Sequence, residues 1–203
     1  MKEEEEDIHE VREPAVSYRR MNEEAYLEWE STSTDKHEYY RGEVFAMAGA
    51  STAHLHISSN VLIMLGMQLK GKDCFPFGSD LRVHIPKNTL YTYPDITIVC
   101  DEMETINDGE CDNLLNPSVI IEILSKSTRK YDQGLKFNLY KDIASLQEYI
   151  LIDSEKVAVQ QFIRDDHNNW SLTRYQSSED SFTIKQVNAT LSISGVYERT
   201  RLL

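Results

Sequence analysis

The chain lacks a long apolar run. Nothing in it approaches the roughly 18 to 20 residues that a membrane-spanning helix requires. The opening "MKEEEEDIHEVREP" is acidic where a signal peptide would be basic and then apolar. The expected compartment is therefore the cytoplasm, with no membrane partner. Cysteine is scarce: Cys74, Cys100 and Cys111 are odd in number and contain no C-x-x-C pair, so neither a disulfide framework nor a zinc site is indicated. Positive charge is also short. Lys and Arg total 21 against 34 Asp and Glu, a net charge of −13 that argues against a general nucleic-acid coat, whose affinity would rest on basic side chains. There is no internal repeat and no low-complexity linker.

What is present suits one globular domain. In 203 residues, 40% are hydrophobic and 27% charged, enough for a sizeable core. Part of the negative charge is local: residues 1–16 hold seven acids against Lys2 and Arg12, a balance of −5 that leaves −8 for the remainder. That segment reads as a solvated, flexible tail, and residues 17–203 as a single domain.

Asn22 before Glu23 and Glu24 resembles a helix cap with an acidic first turn, and the helix runs to about Glu30. Tyr39 to Ala48 reads as a hairpin turning at Arg41-Gly42. From Ser51 to about Lys70, Leu55, Val61, Leu62, Leu65 and Leu69 recur at helical spacing before Gly71. "SDLRVHIP" alternates, predicting a half-buried strand with Asp80, Arg82 and His84 on its polar face. "DITIVC" is a further strand, and Asp101 to Asn116 a polar loop. Asp132 to Ile143 carries Leu135, Leu139 and Ile143 on one helical face. "QEYILID" and "KVAVQQFIR" form a hairpin across Ser154-Glu155, "WSLTRYQ" extends it, and "DSFTI" and "ATLSI" add short strands. This order predicts an α/β fold, a mixed β-sheet flanked by helices, with a C-terminal β-hairpin region.

One residue breaks the pattern. In Val119 to Leu124, a short β-branched run that reads as a strand buried on both faces, the fourth residue is Glu122. A buried carboxylate must be protonated, paired with a cation or bound to a metal. Partners exist nearby in sequence. Pro94-Asp95 puts an acid at the start of the preceding strand, and consecutive strands are usually neighbours, about 4.8 Å apart, so the two carboxylates could share one cation. Hard oxygen ligands favour Mg²⁺, with Mn²⁺ as a substitute. Lys136, one turn beyond Asp132, could turn an ammonium toward the pair. Metal and ammonium over one pocket suit phosphodiester hydrolysis. Each feature also has a plain structural reading: a strand-start turn for Asp95, a buried ion pair for Glu122, and an exposed i, i+4 pair with Asp132 for Lys136. A small basic cluster, Lys126, Arg129 and Lys130, comes after the Glu122 strand.

"YPDITIV" followed by "PSVIIEILSKSTRKYDQGLKFNLYKDIASLQEYILID", with "HEYYRGEVFAMAGASTAH" and "LSISGVYE", resembles the Uma family of restriction endonucleases in the PD-(D/E)XK superfamily. The similarity spans about Met21 to Glu198. It implies a restriction-endonuclease-like core and a magnesium-dependent site acting on DNA. By that resemblance Asp95 and Glu122 are the catalytic metal ligands, with the Ile123 carbonyl as a backbone ligand. Glu122-Ile123-Leu124 departs from the family element by lacking its lysine, and Lys136 on the following helix takes that place. Glu43 and Asp80 match further acidic positions near the pocket, and His54 matches a recurrent histidine. A homodimer would suit the cutting of two strands. The rival readings are a non-catalytic binding or regulatory module that keeps the fold, and a phosphoesterase acting on small nucleotides.

Overall fold

The computed structural model describes residues 17–47, 49–107 and 112–203. The acidic segment 1–16, Ala48 at the end of the expected hairpin, and Cys111 lie outside the described residues. In chain order the elements are β1 (Ser17–Arg20), α1 (Glu23–Thr32), β2 (His37–Tyr40), β3 (Glu43–Ala46), α2 (Thr52–Leu69), β4 (Cys74–Gly78), β5 (Arg82–Ile85), β6 (Leu90–Thr92), β7 (Ile96–Cys100), β8 (Thr105–Asn107), β9 (Asp112–Leu114), β10 (Val119–Leu124), α3 (Arg129–Tyr131), α4 (Phe137–Tyr140), β11 (Glu148–Asp153), β12 (Val159–Arg164), β13 (Trp170–Tyr175), β14 (Ser181–Ile184), β15 (Ala189–Ser192) and α5 (Ile193–Val196). A π-helical turn, Asp132–Lys136, joins α3 to α4.

The mixed α/β arrangement is as expected, with the strands divided between two large sheets. One has the order β1-β3-β2-β6-β5-β9-β8, the other β13-β12-β11-β10-β7-β4, and β14-β15 form a separate hairpin. Local chemistry accounts for the boundaries. The Asn22 side chain accepts from the Ala25 N–H, and the Ser51 side chain from the His54 N–H, capping α1 and α2. Arg41 and Gly42 both have positive φ, 48° and 88°, the geometry of a two-residue turn that fits the twist of a hairpin.

The second sheet carries Glu122 at its centre. Parallel β10 and β11 are linked through α3, the π turn and α4, because parallel neighbours need a crossover connection. All six residues of β10 are buried. Successive side chains alternate across it. Val119, Ile121 and Ile123 join a cluster with Ile57, Val61 and Leu65 of α2. Ile120 and Leu124 join the opposite cluster with Phe137, Leu139 and Tyr140. By the same alternation Glu122 faces the side covered by the crossover helix.

Four expectations are corrected. Arg82–Ile85 is buried throughout, not half-exposed, because β5 lies inside its sheet and its polar face is roofed by aromatic rings. The Arg82 guanidinium lies 5.9 Å from the rings of Tyr26, Tyr91 and Tyr93, and its Nε donates to Asn113 Oδ1 at 2.6 Å. The polar loop 101–116 contains a short antiparallel ladder, β8 with β9, that extends the first sheet. The helix expected to reach Ile143 ends at Tyr140 and is interrupted by the π turn. Finally, Cys74 and Cys100 form a disulfide, because the antiparallel register of β4 and β7 sets them directly opposite each other.

Arg82→Ala removes a buried cation whose hydrogen-bond partners stay behind. The expected loss is about 3 kcal/mol of stability, read from urea unfolding, with an unchanged m-value.

Candidate active site

β7 runs antiparallel to β10, and their ladder ends with Ile96 opposite Ile121. One residue further on, Asp95 and Glu122 face each other across the fork where the strands part. The Ile123 N–H donates to Asp95 Oδ2 at 2.7 Å, and the Asp95 N–H approaches Glu122 Oε2 at 3.4 Å. Backbone N–H groups of the two strands thus help to fix both acids. His54, in the first turn of α2, brings Nε2 to 2.9 Å from Asp95 Oδ1.

Lys136 closes the arrangement from the crossover helix. It is 4% exposed, and its Nζ lies 2.9 Å from Glu122 Oε1, 2.8 Å from Glu38 Oε1 and 3.9 Å from Asp132 Oδ1. The Tyr140 hydroxyl donates to Glu122 Oε1 at 2.8 Å. Asp132 and Lys136 are therefore not an exposed i, i+4 pair: both point inward, at 5% side-chain exposure each. A cavity of about 820 Å³ opens over this cluster, with Glu38, His54, Asp95, Glu122, Asp132 and Lys136 in its lining.

The charges do not balance locally. Glu38, Asp95, Glu122 and Asp132 face one ammonium and one imidazole. Burial pushes the Glu122 carboxyl up to about 8; Lys136 opposes the shift, and Asp132 and Asp95 add to it. Burial likewise raises Asp132 to about 6, again against the pull of Lys136. Burial alone would lower Lys136, but the Glu122 and Glu38 carboxylates outweigh it and hold the ammonium well above its usual range.

Among the expected site residues, Asp95, Glu122, Ile123, Lys136 and His54 come together. Glu43 and Asp80 are not brought to the cavity. Glu43 sits on the far strand of its hairpin, 3.6 Å from Arg20, and the Asp80 carboxylate is 97% exposed and bonded to Lys36. The acid that does arrive from the first hairpin is Glu38, on the neighbouring strand β2, where it accepts from Thr92 Oγ1. Sequence reasoning passed over it and over Tyr140, and read Asp132 only as a helix-start or surface partner of Lys136. The available signal was the one used for Glu122: an acid inside a β-prone run, His37–Tyr40. Of the basic cluster, Arg129 is engaged by Asp153 and Glu155, while Lys130 lines the cavity.

Comparison with known proteins bears on this geometry. The Uma2 family model, described as "Putative restriction endonuclease", matches residues 23–194. The chain belongs to the Uma2 family. The matched span contains every residue of the cavity cluster. Two relatives from Synechocystis sp. (strain ATCC 27184 / PCC 6803 / Kazusa) are similar along most of the Uma2 chain. The "Uncharacterized protein slr1290" is 32% identical, covering 91% of this chain and 95% of the relative. The "Uncharacterized protein sll1609" is 31% identical, with coverages of 80% and 92%. A solved structure, a "putative nuclease belonging to DUF820" from Anabaena variabilis ATCC 29413, superposes with a TM-score of 0.65 at 18% identity, covering 81% of this chain and 91% of that one. That likeness shows a shared fold, in keeping with the mixed α/β core expected from the sequence.

Does the cluster fit a divalent metal? Its donors are hard oxygens, and among the described residues Glu122 Oε2 has only the long 3.4 Å contact from Asp95 N, which leaves it acceptor capacity. Among the described residues no three His, Cys, Asp or Glu side chains are gathered as a metal cage. Mg²⁺ needs no such cage, since it is commonly held by one or two carboxylates together with water and substrate phosphate. The residues fit.

The electrostatics make two outcomes measurable. Because the folded Glu122 carboxyl titrates near 8 and the unfolded one near its ordinary value of 4.5, the folded state binds more protons between those values and loses stability as pH rises through them. In metal-free buffer, Glu122→Gln should therefore match the wild-type Tm near pH 5 and exceed it near pH 8; equal Tm differences at both would contradict the assignment. Glu38→Ala should expose Lys136 to amine-reactive labelling, read by mass spectrometry, while Lys136 of the wild type stays protected.

Proposed function

We propose that this Uma2 protein is a Mg²⁺-dependent endonuclease that hydrolyses phosphodiester bonds in DNA, with Asp95, Glu122 and Lys136 as its catalytic residues. The observation that carries this reading is the fork of β7 and β10, which sets two carboxylates side by side with Lys136 on one of them. The family description, "Putative restriction endonuclease", agrees with it. Asp95 and Glu122 would hold the metal, with the Ile123 carbonyl as a backbone ligand, and Mn²⁺ could replace Mg²⁺. Bound there, the cation would polarise a phosphate oxygen and lower the pKa of a water molecule.

The protein's own groups divide the remaining work. Lys136 is held as an ammonium by two carboxylates, so it does not serve as a proton acceptor. It orients the attacking water by donating to it and stabilises the charge that develops on the phosphorus oxygens. The Tyr140 hydroxyl, raised well above its usual range by burial, keeps its proton and fixes Glu122. His54 and the Ile123 N–H hold Asp95 in one orientation, which limits the geometric search at the moment of reaction. The rival binding module would allow Lys136 to face solvent. Its burial beside Glu122 supports the enzyme.

The test is titration calorimetry of Mg²⁺ and Mn²⁺ into wild type and Glu122→Gln, with nicking of supercoiled plasmid by the same proteins. Wild type should bind metal and nick. The variant should lose both, with nicking down by at least about 100-fold, as expected when a group acting on the transition state is removed. A wild type that binds no metal and cuts nothing would turn the reading toward the non-catalytic module.

A further inference from the structure

The groups assigned to the reaction lie at the base of a partly open cavity. Glu122 and Lys136 are each 4% exposed and the Asp95 side chain 17%, and the space beside them is about 820 Å³. A duplex presents its phosphates on a ridge backed by the partner strand. To carry one to a floor this deep, the nucleotide beside it must leave the stack.

The cavity lining mixes two kinds of side chain: Tyr40, Phe45 and Leu55 on the one hand, Ser127, Thr128 and Lys130 on the other. Leu55 is a large apolar side chain left 56% exposed on α2. Lys130 has no ion pair among the described residues, in contrast to Arg129 beside it. A lining that combines aromatic and aliphatic side chains with hydroxyls and an ammonium suits a ligand that is flat and apolar in one part and anionic in another. A nucleotide released from pairing has that form, and stacking on such walls is indifferent to sequence.

The whole-chain charge points the same way. With 34 acidic against 21 basic residues, the protein has little with which to displace counterions from a duplex. Single strands carry a sparser counterion atmosphere, so less of their affinity has to come from phosphate neutralisation. Apolar side chains in the cavity lining, with Lys130 among them, supply a different source of binding.

From this combination we infer that the substrate is an unpaired strand, taken with a nucleoside next to the scissile phosphate inside the cavity. The inference rests on the nuclease reading for the chemistry but not for the binding. It is tested with the full chain and one labelled DNA oligonucleotide offered as single strand, blunt duplex and duplex with an unpaired flap. Turnover is measured in Mg²⁺, and affinity by fluorescence anisotropy with Glu122→Gln. Single strand and flap should be cut and bound better than duplex by about tenfold or more, the scale of one base stacked on a side chain. Leu55→Ser and Lys130→Ala, both at partly exposed positions, should weaken single-strand binding, and Lys130→Ala should lower the salt slope by about one.

Duplex bound and cut as well as single strand would overturn the inference, as would wall variants that bind single strand like wild type. Competition by a free mononucleotide at the strength of the strand would overturn it in favour of a small-nucleotide ligand. A protein that cuts no DNA yet binds single strands through Leu55 and Lys130 would sink the nuclease reading and leave the inference standing.

Discussion

The Lys136 ammonium sits between two carboxylates from different sheets, Glu122 of β10 and Glu38 of β2, at 2.9 and 2.8 Å. Much of the local architecture serves this contact. A lysine can be kept in a buried place only if its charge is met, and each acid here is buried enough to need the same cation. The crossover helix must therefore lie where its inner face reaches β10, and β2 must lie where its second residue reaches that helix. Asp132 and Lys136 bracket the π-helical turn, so the helix departs from regular geometry at the place where it carries charge inward. Phe137, Leu139 and Tyr140 continue the same segment with apolar contacts that anchor it to the sheet.

Pairing alone leaves the cluster anionic. Four carboxylates face one ammonium and one imidazole, and burial, with the neighbouring acids adding to it, raises the Glu122 and Asp132 carboxyls. Such a site costs stability in the absence of further positive charge, which is the common condition of sites organised for binding or chemistry rather than for folding. Within the Asp95 and Glu122 pair, Glu122 Oε2 carries the lightest contact, the 3.4 Å approach of Asp95 N, and both acids line the cavity. Glu38 lies on the other side of the ammonium and acts through it. The same lysine thus separates a pair of acids suited to a cation from an acid that keeps the lysine in place.

Much of this was legible in the sequence because it depends on short-range rules. The helix over Thr52–Leu69 comes from apolar spacing and the Ser51 cap, and the hairpin at Arg41-Gly42 from its turn residues. Glu122 announced itself as a charge inside a run of buried residues, and strand adjacency then brought Asp95 to it. What could not be read depends on long-range placement. Glu38 and Glu43 are both acids of the same hairpin, and which one faces the cavity is decided by how β2 docks beside β6, through Tyr39 and Tyr91. Arg82 looked solvent-facing because alternation reports two faces without saying that both are covered. The Cys74–Cys100 bond joins residues 26 apart whose meeting depends on the β4 and β7 register. The spacing left Lys136 with two readings, turned toward the acids or paired with Asp132 on the surface, and the inward placement of Asp132 was hidden, since an i, i+4 pair reads the same on a buried face as on an exposed one.

The acidic character of the chain looks at first like an obstacle to handling nucleic acid, yet position matters more than total. Charges on the surface act through water and salt and decay within about 10 Å, whereas those in the cavity are barely screened. On the proposed reading, a negative exterior would reduce indiscriminate capture of duplex, while the interior cluster would draw cations to the place where the two strands fork. A phosphate would meet Lys130 at the cavity rim and then Lys136 at its base, while Lys36 in the same lining is engaged by Asp80. Selectivity would then arise from what can reach the base of the cavity, because Lys136 and the acids around it are buried.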